Sequence, residues 1–468
     1  MKRKFQCKVI PSTWLENNGR RLDCGPYMSG AVEAKELLKK HPTEPLEDLT
    51  TGHSGGIFNG PRFPRIYVDD PTKGVPFLGS TDILDADLSF VSLLSKKQVE
   101  GNPALVLDEG WTLITCSGTI GRTAFSRSDM RGMAGSQHFM RVVPNANKIK
   151  SGYLYAYLSS HFGVPIVVSG TYGAIIQHIE PQHIANLPVP RLGIVEDQAH
   201  DLMLKAADAQ IESGKLRRRA KELINDICGF PEKLAPAARI FSYSSASSND
   251  ALRRLDATFH NPVAQQAEVL TNAANGIALS DGGIRGFESN RLKQVFVEDG
   301  YGTPFITSGG IFSKTITPER YLRNQLLGND ESWRINEYDT LIARSGQVGG
   351  IIGRGVWADT RLDGFAASPH ILRLRPTSDQ FPPGYVYAFL CLTDVGYQLL
   401  ARTAAGSSIP FLPLDAVLEI KIPTSPSLQQ RQEIDELVKR AGELRKQSQE
   451  REIEAVTLVE RAVEEGGR

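Results

Sequence analysis

The sequence lacks a net charge and lacks long apolar stretches. Its 53 Lys and Arg residues are balanced by 53 Asp and Glu residues over a length of 468, which excludes a histone-like protein that binds DNA through bulk charge. A basic face that is offset by an acidic face is still allowed. No run of about 18 apolar residues occurs, so neither a transmembrane helix nor contact with a membrane is expected.

Cysteine is scarce as well. The five cysteines are scattered without CxxC spacing, which is typical of reduced thiols in a cytoplasmic protein. No cluster of His and Cys has the spacing of a metal site, and no Gly-rich segment ends in the Lys-Ser/Thr of a P-loop. We therefore predict no metal ligands in this chain. With 41% hydrophobic and 23% charged residues, the composition is that of an ordinary globular protein.

Most of the sequence occurs twice. Six segments recur in the same order, each 228 to 233 residues further along the chain. In the first copy they are Arg21-Leu22-Asp23, Pro76-Phe77-Leu78-Gly79-Ser80, Leu113 to Gly121, Ser136-x-His138-x-x-Arg141, Gly152-Tyr153-x-Tyr155-Ala156 and Leu187 to Pro190. In the second copy they are Arg254-Leu255-Asp256, Pro304-Phe305-Ile306-Thr307-Ser308, Leu341 to Gly349, Ser368-x-His370-x-x-Arg373, Gly384-Tyr385-x-Tyr387-Ala388 and Ile420 to Pro423. Six matches in order indicate an internal repeat, whereas one could arise by chance.

Each copy has the same predicted order of elements. A helical segment, 31–40 or 263–274, precedes several short strands, a further helix and a last strand. A long helix follows each copy, at about 196–228 and 428–465. Apolar residues at helical spacing predict the faces on which these two helices pack as a coiled coil. The predicted faces comprise Leu204, Ala207 and Ile211 in the first helix, and Ile434, Leu437, Val438, Ala441, Leu444 and Ser448 in the second.

These motifs carry a resemblance to a known family. The opening RLD, the LI-x-x-SG-x-x-G segment, the GY-x-YA segment and the closing PVP or KIP, each set followed by a long helix, resemble the specificity (S) subunit of type I restriction-modification systems. The resemblance covers the whole chain. It implies an α+β protein in which two pseudo-symmetric α/β target-recognition domains are joined by two long antiparallel coiled-coil spacer helices. The implied segments are target-recognition domain 1 (1–194), a central spacer helix (195–230), a linker (231–250), target-recognition domain 2 (251–426) and a C-terminal spacer helix (427–468).

The resemblance also implies a function. Each repeat would read one half-site of a bipartite site in double-stranded DNA, and the spacer helices would set the gap between the half-sites. The chain itself would be non-catalytic, with no catalytic residues and no cofactor of its own. A modification (methyltransferase) subunit, in two copies, would supply S-adenosylmethionine chemistry. A restriction/translocase subunit, with ATP and Mg²⁺, is a further implied partner.

Candidate DNA contacts are basic and aromatic side chains in the parts where the two copies differ, together with hydroxyl and amide side chains of the Ser-Gly turns and of the late loop in the second copy. Arginine suits phosphates and guanine, and glutamine suits adenine. The Ser-Gly turns at 117–119 and 345–347 admit two interpretations, a DNA-facing turn or a tight turn that holds the fold. The candidates are Arg62, Arg65, Ser117, Thr119, Arg122, Arg127, Arg131 and Tyr172 in the first copy, and Arg291, Lys293, Arg344, Ser345, Gln347, Arg354, Arg361 and Ser407 in the second.

Two other classes of protein stay open. One is a self-contained restriction or modification enzyme that carries its own recognition domains. The stretch Asp415 to Lys421 faintly resembles a nuclease motif, but the first copy has no carboxylate or lysine at the matching place. The matched His138 and His370 would need a nucleophile and an orienting acid for catalysis, and the sequence places neither nearby. The other class is an interaction scaffold without a DNA role.

Overall fold

The chain forms two structural units. A computed structural model describes residues 7–17, 20, 22, 24–169, 178–234, 248, 252, 254–290, 293–328, 331–406 and 408–466. Unit 1 comprises Met1–Ile211 together with Gln447–Arg468, and unit 2 comprises Glu212–Lys446. Most of the predicted linker 231–250 lies outside the described residues.

Unit 1 is a mixed α/β unit. Its strands are β1 (Thr43–Pro45), β2 (Ile57–Asn59), β3 (Tyr67–Val68), β4 (Gly74–Leu78), β5 (Leu93–Ser95), β6 (Thr112–Thr115), β7 (Thr123–Phe125), β8 (Ala134–Gly135), β9 (Phe139–Val142) and β10 (Pro188–Pro190). Its shorter helices are Ser12–Asn17, Gly25–Met28, Ala31–Leu38, Lys96–Glu100, Ser151–Ser159, Gly163–Ser169 and Pro181–Ile184.

Unit 2 repeats the strands of unit 1. Its strands are β11 (Ile277–Ala278), β12 (Ile284–Glu288), β13 (Phe296–Val297), β14 (Gly302–Ile306), β15 (Arg320–Arg323), β16 (Thr340–Ala343), β17 (Gly355–Trp357), β18 (Ala366–Ala367), β19 (Ile371–Pro376) and β20 (Lys421–Ile422). Its shorter helices are Pro262–Ala273, Asn324–Leu327, Pro383–Tyr387, the π-helix Ala388–Leu392, Asp394–Arg402 and Leu414–Leu418.

The two units share one strand topology. Unit 1 has the orders β1-β10, β2-β9-β6-β7 and β3-β5-β4-β8, and unit 2 has β11-β20, β12-β19-β16-β17 and β13-β15-β14-β18. A parallel pairing is also matched between the units, β4 with β8 and β14 with β18. Even the register agrees, because Leu113 pairs with Arg141 and Leu341 pairs with Arg373. The internal repeat is thus confirmed strand by strand.

The GY motif explains why the last strand and the long helix stay together. Tyr153 donates its hydroxyl to the carbonyl of Pro190, and Tyr385 donates to the carbonyl of Pro423 at 2.9 Å. The preceding glycine lies against the long helix, where a Cβ at Gly152 would come within 2.9 Å of a helix Cα. Only glycine permits so close an approach. The motif is therefore structural in both units.

The two long helices are Ile194–Cys228 and Leu428–Glu465. In unit 1, Ser448 donates its hydroxyl to the carbonyl of Ala206 at 2.7 Å, and Arg451 donates to the carbonyl of Lys205 at 3.1 Å. In unit 2, Ser213 donates to the carbonyl of Ala441 at 2.7 Å. Higher numbers on one helix meet lower numbers on the other, so the contacting halves run antiparallel.

The predicted packing face of the first long helix is confirmed at Ala207, which packs against the core of unit 1, and is wrong at Leu204. Leu204 is 41% exposed, whereas Met203 and Ala206 are 2% exposed. At Ala206 and Ser213 the two helix backbones approach closely enough for a serine of one helix to donate to a carbonyl of the other. The prediction for the second helix is confirmed for Ile434, Val438, Ala441 and Ser448, each of which is buried. No described helix has the length and apolarity needed to cross a membrane.

Candidate nucleic-acid interface

The Ser-Gly turns follow the same strand in each unit. After β6, Gly118 and Gly121 have φ of 76° and 82°, and after β16, Gly346 and Gly349 have φ of 147° and 82°. These left-handed conformations require glycine, because a Cβ would clash with the backbone. The backbone is fixed internally, as when Gly346 donates its N–H to the carbonyl of Pro410 at 3.1 Å. Both turns therefore have a structural role.

The same turns present side chains to solvent. Thr119 and Gln347, both predicted contacts, are exposed, and so is Arg122 after the first turn. Thr115 anchors this segment, since its hydroxyl oxygen accepts the Arg122 N–H at 3.0 Å. A fixed backbone that carries exposed hydroxyl, amide and guanidinium groups suits contact with nucleic acid. The two interpretations of the turns are thus compatible.

Each turn also holds a serine–histidine contact. The hydroxyl of Ser117 lies 2.8 Å from Nδ1 of His138, and the hydroxyl of Ser345 lies 3.1 Å from Nδ1 of His370. The expectation that no nucleophile lies near these histidines is therefore wrong, because adjacent strands of the sheet bring their ends together. A catalytic pair is oriented by a carboxylate, whereas the charged groups that act on His138 are the guanidinium groups of Arg65 and Arg62.

In unit 1, cationic side chains gather beside His138. Arg65 donates from Nη2 to Oε1 of Gln137 at 2.8 Å and lies over the ring of Phe77 at 5.0 Å. Arg62 is exposed. Burial lowers the pKa of His138, and Arg65 and Arg62 lower it further. The structure thus brings three of the predicted contacts, Arg62, Arg65 and Ser117, to one place.

Two other predicted contacts of unit 1 are engaged by carboxylates. Arg127, whose side chain is 9% exposed, pairs with Asp129 at 3.0 Å. Arg131, at 58% exposure, pairs with Asp108 and with Glu109 at 2.7 Å each. A phosphate would have to compete with these partners for Arg127 and Arg131. Their assignment as DNA contacts stays a prediction.

Most predicted arginines of unit 2 also have internal partners. Arg344 pairs with Glu288 at 2.7 Å, and Arg361 forks onto both carboxylate oxygens of Asp359 at 2.8 and 2.7 Å. Arg354 lies over the ring of Phe312 at 4.9 Å. Lys293, in contrast, is exposed.

Three predicted contacts, Tyr172, Arg291 and Ser407, lie outside the described residues. Two residues beside the Ser117 turn were missed by sequence reasoning, Gln137 and His178. Gln137 precedes the repeated histidine and donates from Nε2 towards Nε2 of His138 at 3.1 Å. His178 forms a backbone bridge with Ser117, and only the folded chain reveals this proximity.

The residues of the weak nuclease resemblance have ordinary structural roles. Lys421 donates from Nζ to Oδ1 of Asn272 at 2.7 Å, and Glu419 caps the helix Leu414–Leu418 through its backbone N–H. Among the described residues, no group of three or more His, Cys, Asp or Glu side chains could hold a metal ion.

Comparison with known proteins gives matches in structure alone. No family model matches the chain, and no curated protein matches it. Among the matching solved structures is one described as the S subunit of a type I restriction-modification system. The S subunit from M. genitalium has 11% identity and a TM-score of 0.36, with 90% of this chain and 94% of that chain covered.

Two further structures match over similar lengths. The HsdS subunit from Thermoanaerobacter tengcongensis has 13% identity and a TM-score of 0.25, and covers 92% of this chain and 97% of its own. A structure described as the basis of complex assembly and conformational transition of the type I system has 14% identity and a TM-score of 0.28, with 91% and 97% covered.

Proposed function

We propose that this chain is the DNA-specificity subunit of a type I restriction-modification complex. The observation that carries the proposal is the strand-by-strand duplication, in which two units of one topology each bear the same Ser-Gly turn and serine–histidine contact. Two similar recognition surfaces on one chain suit a site made of two half-sites. Each unit recognises one half-site, and the base pairs between the two half-sites are not recognised by either unit.

The chain acts without catalysis of its own in this proposal. Methyl transfer belongs to a modification subunit that binds S-adenosylmethionine, present in two copies because the specificity subunit offers two equivalent units. A restriction/translocase subunit with ATP and Mg²⁺ completes the assembly in the cytoplasm. The two long helices, each shared between unit 1 and unit 2, set the length of the gap.

The methylated motif of cells tests the proposal directly. Methylated adenines are mapped in cells with and without this gene and its neighbours. We expect a bipartite motif with a gap that disappears when the gene is deleted. A motif without two separated halves, or an unchanged methylation map, would contradict the proposal.

A domain exchange sharpens the experiment. Replacement of 75–190 by the equivalent segment of a chain with another specificity should change one half-site and leave the other half-site and the gap unaltered. The reciprocal exchange of 303–423 serves as the matched control, because it should change only the opposite half-site. Purified chain that alone cuts or methylates DNA would instead support the self-contained enzyme.

A further inference from the structure

A directional chain of hydrogen bonds fixes the proton on His138. Arg65 donates to the Oε1 of Gln137 at 2.8 Å, which leaves the amide nitrogen of Gln137 facing Nε2 of His138 at 3.1 Å. An amide nitrogen can only donate, so Nε2 accepts and the ring proton lies on Nδ1. Nδ1 then donates to the hydroxyl of Ser117 at 2.8 Å. The chain therefore holds the imidazole neutral.

The surroundings of the imidazole are cationic. The ionisable groups that act on it are Arg65, Arg62 and His178. Together with His138 and Gln137 they form what we call the His138 cluster. Burial first, and then the guanidinium groups of Arg65 and Arg62, lower the pKa of His138 below its ordinary value. An anion that entered the cluster would reverse the effect of the cations.

Other ionisable groups lie near the cluster. Burial raises the pKa of Cys116 to about 11, so this thiol is uncharged at neutral pH. The Glu180 carboxylate, which acts on Cys116, accepts the backbone N–H of His183 in a capping box. Arg141 adds a positive charge near Cys116 and is completely buried. Arg65 donates to a neutral amide and Arg62 is exposed, so an anion can bind to these two guanidinium groups.

Unit 2 lacks this arrangement although it keeps the histidine. Pro369 stands where unit 1 has Gln137, so no amide faces the ring of His370 from that position. Arg344 occupies the position that Cys116 has in unit 1, and its guanidinium forms an ion pair with Glu288 at 2.7 Å. The same serine–histidine contact thus lies in a compensated environment in unit 2 and in a cationic environment in unit 1.

We propose that the His138 cluster binds a backbone phosphate of DNA and that Nε2 of His138 takes up a proton from solvent as the phosphate binds. The inference rests on the proposed function, and it makes the DNA contact of unit 1 sensitive to pH while that of unit 2 is not. Protonation of Nε2 repels the amide N–H of Gln137, which rotates away. The new Nε2–H then donates to a phosphate oxygen, and Arg62 and Arg65 supply further charge.

Binding of a DNA duplex at several pH values tests the inference. The full chain is titrated into a fluorescent 30-base-pair duplex of mixed sequence at about 50 mM salt, between pH 7.5 and pH 5.5. A one-unit rise in the pKa of His138 on binding corresponds to an affinity about five- to sixfold higher at pH 5.5 than at pH 7.5, because the full tenfold gain requires a pH range that extends well beyond both pKa values. His138→Asn, which keeps an amide near Ser117, should remove this gain. The matched His370→Asn should retain it.

Two further measurements make the result decisive. Arg62→Ala should reduce the slope of log affinity against log salt by about one, because one phosphate contact is lost. The imidazole resonance of His138 should report a higher pKa when the duplex is added to the full chain. Duplex binding with the same pH profile in wild type and His138→Asn would overturn the inference and leave the proposed function intact. Failure to bind duplex at every pH and salt concentration would overturn both.

Discussion

Replacement of the buried Arg141 by methionine should destabilise unit 1 by about 3 kcal/mol. This guanidinium is completely buried and donates to three backbone carbonyls, those of Gly135, Ser136 and Phe139, at 2.6, 2.9 and 3.0 Å. Burial lowers its pKa to about 10, so it still carries its proton at neutral pH. It therefore holds the segment between β8 and β9 with three charge-assisted hydrogen bonds.

The magnitude follows from the groups that lose their partner. A buried acceptor left without a donor costs about 1–3 kcal/mol, and three carbonyls give roughly 3–9 kcal/mol. The guanidinium no longer has to be desolvated, which returns several kcal/mol. Methionine fills much of the vacated space. A net loss of about 3 kcal/mol corresponds to a fall of roughly 6–12 °C in the unfolding temperature of a unit of this size.

Differential scanning calorimetry of the full chain at pH 7.5 measures this loss. Arg62→Met, which removes an exposed guanidinium of the same unit, is the control and should change stability by less than about 0.5 kcal/mol. An unfolding temperature for Arg141→Met within about 2 °C of wild type would refute the reasoning, since it would show that the three carbonyls do not depend on this side chain.

Two other predictions concern matched positions of the two units, and a third concerns an ion pair of unit 2. Gly121→Ala should destabilise unit 1 more than Gly349→Ala destabilises unit 2 in urea unfolding. Both glycines have φ of 82°, but only a Cβ at position 121 would meet a side chain, Val168 Cγ2 at 2.5 Å. Equal losses of unfolding free energy in the two variants would contradict this clash. His200 accepts the N–H of Gly152 at 3.1 Å, and burial followed by Lys150 lowers its pKa, so unit 1 should lose stability as the pH falls below about 6.5 through the lowered pKa. His200→Asp, which copies the Asp435 contact of unit 2, should abolish that loss in melting experiments, and an unchanged pH profile would count against it. Burial would raise the pKa of Asp359, but the two hydrogen bonds from Arg361 outweigh this effect and lower the pKa. Asp359→Asn should therefore reduce the free energy of unfolding by roughly 3 kcal/mol at pH 7. The difference from wild type should disappear below about pH 4, as the carboxyl is protonated, and a difference that persists at pH 2 would contradict this account.

Much of the fold could be predicted from the sequence because the repeat supplies each motif twice. The GY segment, the Ser-Gly turn and the long helices were all located correctly, since glycine turns and helical spacing leave local marks. The exposure of Leu204 on the first long helix was not predicted, because this leucine has the spacing of a core residue until the close approach of the helices at Ala206 and Ser448 is known. Close packing selects small residues, and this is a property of the partner helix.

The candidate site was predictable only in part. Arg62, Arg65 and Ser117 could be selected from the sequence as basic and hydroxyl residues. Whether each guanidinium is already paired with a carboxylate could not be predicted. Whether an arginine is open to a ligand depends on carboxylates from other strands, as with Glu288 beside Arg344. The role of Gln137 was equally hidden, because it depends on an Arg65 that lies 72 residues earlier in the chain.

The sharing of the long helices has a consequence for synthesis on the ribosome. The apolar core of unit 1 includes Ala455, Val459 and Val463, each fully buried, yet these residues are translated after all of unit 2. Until they emerge, the opposing surface of Ala199 and Met203 has no covering helix. The apolar side chains of unit 1 therefore remain exposed until the last helix has been synthesised. A chain that stalls shortly before residue 455 should be a substrate for chaperones and proteases.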